Sequence, residues 1–260
     1  MDHTSDLPEA AVRINPRHVT TADLSAALAA GWHDMRRAPL FGLFFAGVYV
    51  AGGLLLVWAL TASGQVWWTI PISLGFPLLG PFVAVGFYEI SRRLDAGEAL
   101  DWPGVLGVIL RQKDRQIPSI AAVIVVFFLF WNFLAHMIFA LFMGLQVMTN
   151  ISSSFDAFLT PNGLAMMAVG TAVGAAFSVL LYAITVVALP MLLDREVDFV
   201  TAMLASMAVV RENPAVMLGW GLLIAVLLFL AMLPAFLGLF LVLPLLGHAS
   251  WHLYRRLLPA

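Results

Sequence analysis

The stretch Gly80-Pro-Phe-Val-Ala-Val-Gly-Phe-Tyr-Glu-Ile-Ser-Arg-Arg-Leu-Asp95 begins without charge and ends in Glu89 and the pair Arg92-Arg93. A related ending closes the chain, Pro244-Leu-Leu-Gly-His-Ala-Ser-Trp-His-Leu-Tyr-Arg-Arg-Leu257. Each reads as a membrane span arriving at a charged surface. In lipid a helix satisfies its own backbone, whereas Arg and Glu need water or partners.

Outward from these endings, charge is sparse. Residues 38–88 carry none, residues 116–193 carry only Asp156, and residues 213–254 carry none. A hydrocarbon core of about 30 Å takes about 20 helical residues, so each interval holds two crossings and a turn. Spans are expected near 40–62, 70–92, 119–143, 163–191, 214–232 and 235–256, the last two joined at Leu233-Pro234. The expected fold class is all-α: a polytopic membrane protein of six transmembrane helices arranged as three hairpins, each preceded by a short amphipathic interfacial helix. Composition agrees, with 62% hydrophobic and 11% charged residues against about 25% charged in a soluble domain.

Basic residues set the expected orientation. With six spans and both termini inside, all 13 Lys and Arg residues fall on the cytoplasmic face, and the opposite loops hold only Asp156. Trp67, Trp68 and Trp251 are expected in an interfacial aromatic belt. Residues 1–20 contain Asp2, Asp6 and Glu9 without an apolar core, so they read as a disordered cytoplasmic tail rather than a signal peptide. Residues 21–260 read as one membrane domain. Within it Asp23, Asp101 and Asp198 each stand ahead of a short segment and then a proline, Pro39, Pro118 or Pro214. Aspartate there can cap a short helix, and proline is tolerated at a helix start. This gives repeat units of about 21–98, 99–196 and 197–260. A net charge of -2 gives no reason to expect nucleic acid, and the absence of cysteine removes disulfides and thiolate metal sites.

Three motifs carry a resemblance: Asp34-Met-Arg-Arg-Ala-Pro39, the stretch from Gly80 to Glu98, and Gly247-His-Ala-Ser-Trp-His-Leu-Tyr-Arg-Arg256. Across about residues 20–257 the sequence resembles the bacterial integral membrane proteins catalogued as domain of unknown function 2189. The resemblance implies a proteobacterial inner-membrane protein and supplies no activity or catalytic residues.

Polar residues within the spans are the candidate sites, because burying them in lipid is costly. Asn132 and His136 share one helix face and could bind a proton, metal or solute, or hydrogen-bond to Thr171, Ser178 or Tyr182. His248 and His252 are likewise four apart, a spacing that can chelate a metal, with Glu89 as the natural third ligand from the repeat alignment. Alternatively, Glu89 pairs with Arg92 and Arg93 along its own helix. Gly170 and Gly174 form a small-residue face for helix packing. Pro77, Pro81, Pro190 and Pro244 are expected to kink the second spans. With six histidines in all, three of them in or before the N-terminal helix, a haem-copper site lacks ligands. No phosphate loop, His-Glu-x-x-His helix or Gly-x-Ser-x-Gly elbow occurs. The expectation is therefore a protein with no catalytic residues and no cofactor. Its partners are the lipid bilayer, with another membrane complex or a homo-oligomer, and the alternative role is a small-solute or ion channel or transporter.

Overall fold

A computed structural model describes residues 16–63, 69–112, 114–144 and 156–259, without the side chains of 56, 60, 63, 69–79 and 156–157. Among these residues every regular element is an α-helix. In chain order they are α1 (Thr21–Arg37), α2 (Pro39–Ser63), α3 (Thr69–Ala96), α4 (Trp102–Gln112), α5 (Ile117–Met143), α6 (Asp156–Leu159), α7 (Pro161–Thr185), α8 (Ala188–Asp194), α9 (Phe199–Glu212), α10 (Pro214–Met232) and α11 (Leu239–Leu257). Among the described residues four segments are long and apolar enough to cross a membrane: Pro39–Ala59, Ile117–Met143, Pro161–Asp194 and Pro214–Met232.

Those segments keep apolar side chains on the outside. Phe130, Phe133 and Leu141 of α5, and Leu222 and Phe229 of α10, are exposed. A helix that is apolar on every face suits lipid and not water. The core instead gathers at one end of the bundle. There α1, α8, α9, α10 and α11 bury Ala27, Met191, Ala205, Met217, Trp220, Trp251, Tyr254 and Leu257 against one another.

Local chemistry sets the helix boundaries. Asp101 and Asp198 cap α4 and α9, accepting the Gly104 and Thr201 amides at 3.3 and 2.9 Å. Asp23 works differently from the expectation. Thr20 is the N-cap of α1, and Asp23 reaches back from the third helical position to the Thr20 amide at 2.9 Å. Pro39 and Pro214 open α2 and α10, and Pro118 is the second residue of α5. Pro190 separates α7 from α8: it lacks the N–H that would bond Val186, and its ring crowds that carbonyl. At this break the Val187 amide donates to Ser206 Oγ of α9 at 3.1 Å. Pro81 and Pro244 lie within continuous helices. The turn after α10 begins at Leu233 as expected, but it extends through Ala235 and Phe236, both with left-handed φ of 51° and 66°. The last helix therefore starts at Leu239 and not at 235.

Helix ends from all parts of the chain are tied together at the basic end. Asn213, just before α10, accepts the Val19 amide at 2.9 Å and donates to the Arg17 carbonyl at 3.1 Å. The Arg17 amide donates to the Leu257 carbonyl at 2.9 Å. Asp194, ending α8, accepts from Tyr254 at 2.6 Å and from Arg255 at 3.1 Å. Residues 1–15 of the expected tail lie outside the described residues, while Arg17 and Val19 belong to the fold. Trp67 and Trp68 also lie outside them. Trp251 does not join an aromatic belt: it is buried, and its indole N–H donates to Asp95 Oδ2 at 3.0 Å.

The helix α11 packs against α1, α2, α3, α8 and α10. Its closest approach is at Gly31 of α1, where an added Cβ would stand 2.6 Å from the Ala249 amide nitrogen. The added side chain would then meet the Ala249 backbone, with no flexible side-chain end to give way. Gly31→Leu should destabilise the protein by about 1–3 kcal/mol through overpacking, seen as a lower thermal midpoint in detergent. Gly170→Ala, whose Cβ meets no atom within 4 Å, should leave the midpoint nearly unchanged; equal effects at both sites would contradict this crossing.

Candidate functional site

A buried polar cluster joins three helices at the basic end. From α1 comes Asp34, from α3 come Ser91 and Asp95, and from α11 come His248, Trp251 and His252. Asp34, Ser91 and His248 are all buried. Ser91 Oγ lies 2.8 Å from Asp34 Oδ2 and 2.8 Å from His248 Nδ1. His252 Nε2 lies 2.7 Å from the same Asp34 oxygen.

Proton counting assigns the donors. A carboxylate only accepts and a hydroxyl has one proton, so Ser91 donates to Asp34. His248 must then carry its proton on Nδ1 and donate to Ser91 Oγ, while His252 donates from Nε2. Burial pushes the Asp34 carboxyl up, but hydrogen bonds from His252 and Ser91 outweigh it and hold it below the ordinary value. His248 Nε2 is left as a buried acceptor with no partner among the described residues, edge-on to the Phe87 ring. The arrangement is unlike a nucleophilic triad. There the acid orients the histidine and the serine faces substrate; here the acid accepts the serine hydroxyl's hydrogen bond and Ser91 is fully buried.

Of the two readings of Glu89, the structure shows the ion pair along its own helix and not a third place beside the histidines. Glu89 is not beside them; it is fully buried against guanidinium groups. Arg92 reaches it through Nε at 2.8 Å and Nη2 at 3.0 Å, and Arg93 through Nε at 2.6 Å. Arg92 also pairs with Glu98 at 2.9 Å, which holds the Glu98 carboxyl below its usual range. Arg93 pairs with Asp101 at 3.2 Å. The histidines diverge, one to Ser91 and one to Asp34.

The mid-span pair also differs from expectation. His136 Nδ1 lies 2.7 Å from the Asn132 carbonyl of its own helix, not from Thr171, Ser178 or Tyr182. Tyr182 donates instead to the Met217 carbonyl at 2.6 Å. His136 lines an open groove of about 600 Å³ between α5 and α7, with Thr171 and Gly170 opposite. Gly174 receives the Trp131 indole, whose ring carbon would lie 2.8 Å from an added Cβ, and Gly170 meets nothing.

Sequence reasoning passed over Asp34, Ser91, Asp95 and Asp194. A signal was present for Asp34. An acid two residues before the Arg36-Arg37 pair opposes the helix dipole, so it needs a specific partner.

Apolar helices bound at one end by a paired polar layer define an integral membrane protein. Residues 69–194 match the family described as a predicted integral membrane protein, DUF2189. No match was found among the curated proteins or the solved structures.

Asp34→Asn should lower the thermal midpoint at neutral pH, since losing a buried hydrogen bond to a charged group costs about 1.5–3 kcal/mol. A carboxyl held below 3.8 stabilises the fold above that pH, and the contribution fades as pH falls through the folded value. The midpoint difference between wild type and Asp34→Asn should therefore shrink between pH 5 and about 3. A difference constant over that range would rule out a charged Asp34 as the hub.

Proposed function

We propose that the chain is a six-span bacterial inner-membrane protein, with both termini cytoplasmic, that acts as a non-catalytic module associating with lipid and with another membrane complex. The three units, each a short surface helix and a transmembrane hairpin, belong to the same reading. Its support is the pattern α1–α2–α3, α4–α5–α7 and α9–α10–α11, with charged residues at the shared end. In this reading α3 and α11 complete the hairpins: α3 carries no charge from Thr69 to Tyr88, and α11 ends in His248, His252, Arg255 and Arg256, which make its last turns polar.

One observation carries the functional part. The buried carboxylates that could serve transport or catalysis are occupied by protein partners: Glu89 by two arginines, and Asp34 by Ser91 and His252. The outer faces of α5 and α10 present bulky apolar side chains such as Phe133 and Leu222. That is how a helix meets lipid or another helix, not how it lines an aqueous path. Transport is the second reading because His136 and Thr171 face the groove between α5 and α7.

Two measurements test this. A reporter fused after Ser63 should read the periplasm and one fused after Ala260 the cytoplasm; agreement between them would sink the six-span arrangement. Proteoliposomes should show no proton or cation flux above empty vesicles, while a defined membrane complex copurifies from native membranes. Flux abolished in the Asn132→Leu/His136→Leu double variant would replace this reading with transport.

A further inference from the structure

A second polar site lies beside the Glu89 network, where the end of α3, the helix α4, the turn into α5 and the end of α8 meet. It is a cavity of about 220 Å³ lined by Glu89, Arg92, Val108, Arg111, Gln112, Arg115 and Leu193. Its charge balance is uneven. Glu89 is covered by Arg92 and Arg93, and Arg92 also serves Glu98. Arg115 uses one guanidinium nitrogen on Glu196, a largely exposed acid. Arg111 makes no ion pair among the described residues, so its full set of donors is free at the rim.

Gln112 supplies an independent observation. The residue is 3% exposed, and its Oε1 is buried without a partner among the described residues. An unpaired amide is costly to bury, and here it borders a cavity with two guanidiniums that have donors to spare. A phosphodiester supplies acceptors for those guanidiniums, and a headgroup hydroxyl supplies the donor that Oε1 lacks. The surroundings favour a lipid as the source. Leu110 is exposed beside Arg111, and Trp102 is exposed at the start of the same helix, the mix of apolar and cationic side chains that a helix presents at a bilayer surface.

We infer that this cavity is a binding site for the phosphate and hydroxyl of an anionic phospholipid headgroup of the phosphatidylglycerol type, held by Arg111, Arg115 and Gln112. The site rests on the surface placement of α4 under Proposed function and gives the lipid part of that function a location. It sits at the basic end of the helices, where phosphates of the inner leaflet would lie, and it takes one headgroup rather than a diffuse ion atmosphere.

The full chain in detergent, native mass spectrometry and added phosphatidylglycerol test it. Wild type should retain one more phosphatidylglycerol than Arg111→Gln/Arg115→Gln, with at least a tenfold affinity difference, and should not show this preference for phosphatidylcholine. Gln112→Met separates binding from folding. It removes the unpaired amide, so it should raise the thermal midpoint without lipid and still weaken phosphatidylglycerol retention. Equal retention by wild type and the double arginine variant would overturn the site. So would displacement of the lipid by millimolar inorganic phosphate, which would make the ligand a free phosphoryl anion. Flux in the proteoliposome assay would remove the non-catalytic reading without altering these adducts, so the two proposals fail separately.

Discussion

The structure depends on the shortage of hydrogen-bond partners where helices leave lipid. A polar side chain at that depth cannot count on water, so it must find protein. Asp34 does this for three helices at once: one carboxylate oxygen accepts hydrogen bonds from Ser91 of α3 and from His252 of α11. The same rule ties Asp194 to Tyr254 and Arg255, and Asn213 to the backbone of Arg17 and Val19. Because every partner comes from a different element, these bonds fix the tertiary arrangement. Bonds within a single helix, such as His136 to the Asn132 carbonyl, cannot.

That constraint also explains where the core lies. Lipid chains are as apolar as leucine, so two spans gain little from hiding apolar surface against each other in mid-membrane. Their outer faces stay apolar and open, as at Phe130 and Leu222. At the charged end the alternative to burial is water, and there each fully buried large side chain is worth about 1.5–3 kcal/mol. The short helices α1 and α9 cover Trp220, Trp251, Tyr254 and Leu257 at that end, joining their apolar faces to one cluster. Close packing does the rest: Gly31 lets α1 touch the backbone of α11, and Gly247 accepts the Phe87 ring of α3.

The helices were legible in the sequence because charge is so expensive in lipid that it marks their ends. Arg37, Arg115, Asp194 and Glu212 stand close to observed boundaries. Tertiary partners were not legible, since they depend on how helices are rotated about their axes. Aligning the second spans of the hairpins set Glu89 level with His252, which suggested a shared site. Rotation instead turns Glu89 toward its own arginines and brings Ser91, two residues on and on another face, to His248. Trp251 failed for the same reason: its position near a helix end suited the lipid boundary, but its face looks inward to Asp95. The late start of α11 follows from left-handed residues at Ala235 and Phe236, which are not glycines and gave no turn signal.

Glu89 shows how such a network weighs on function. A carboxylate that carries ions or protons must let go of its partners in each cycle. Here three guanidinium N–H groups at 2.6 to 3.0 Å hold both oxygens, and those arginines are held in turn by Glu98 and Asp101. Removing one member of a buried ion-pair network strands the others, at a cost of about 3–5 kcal/mol. Moving Glu89 would therefore disturb the end of α3 and the entry to α4 together. Such a network suits a part that must keep its shape. The arginines with donors to spare, Arg111 and Arg115, lie at its edge. There a ligand can bind without breaking the pairs that hold the helices in place.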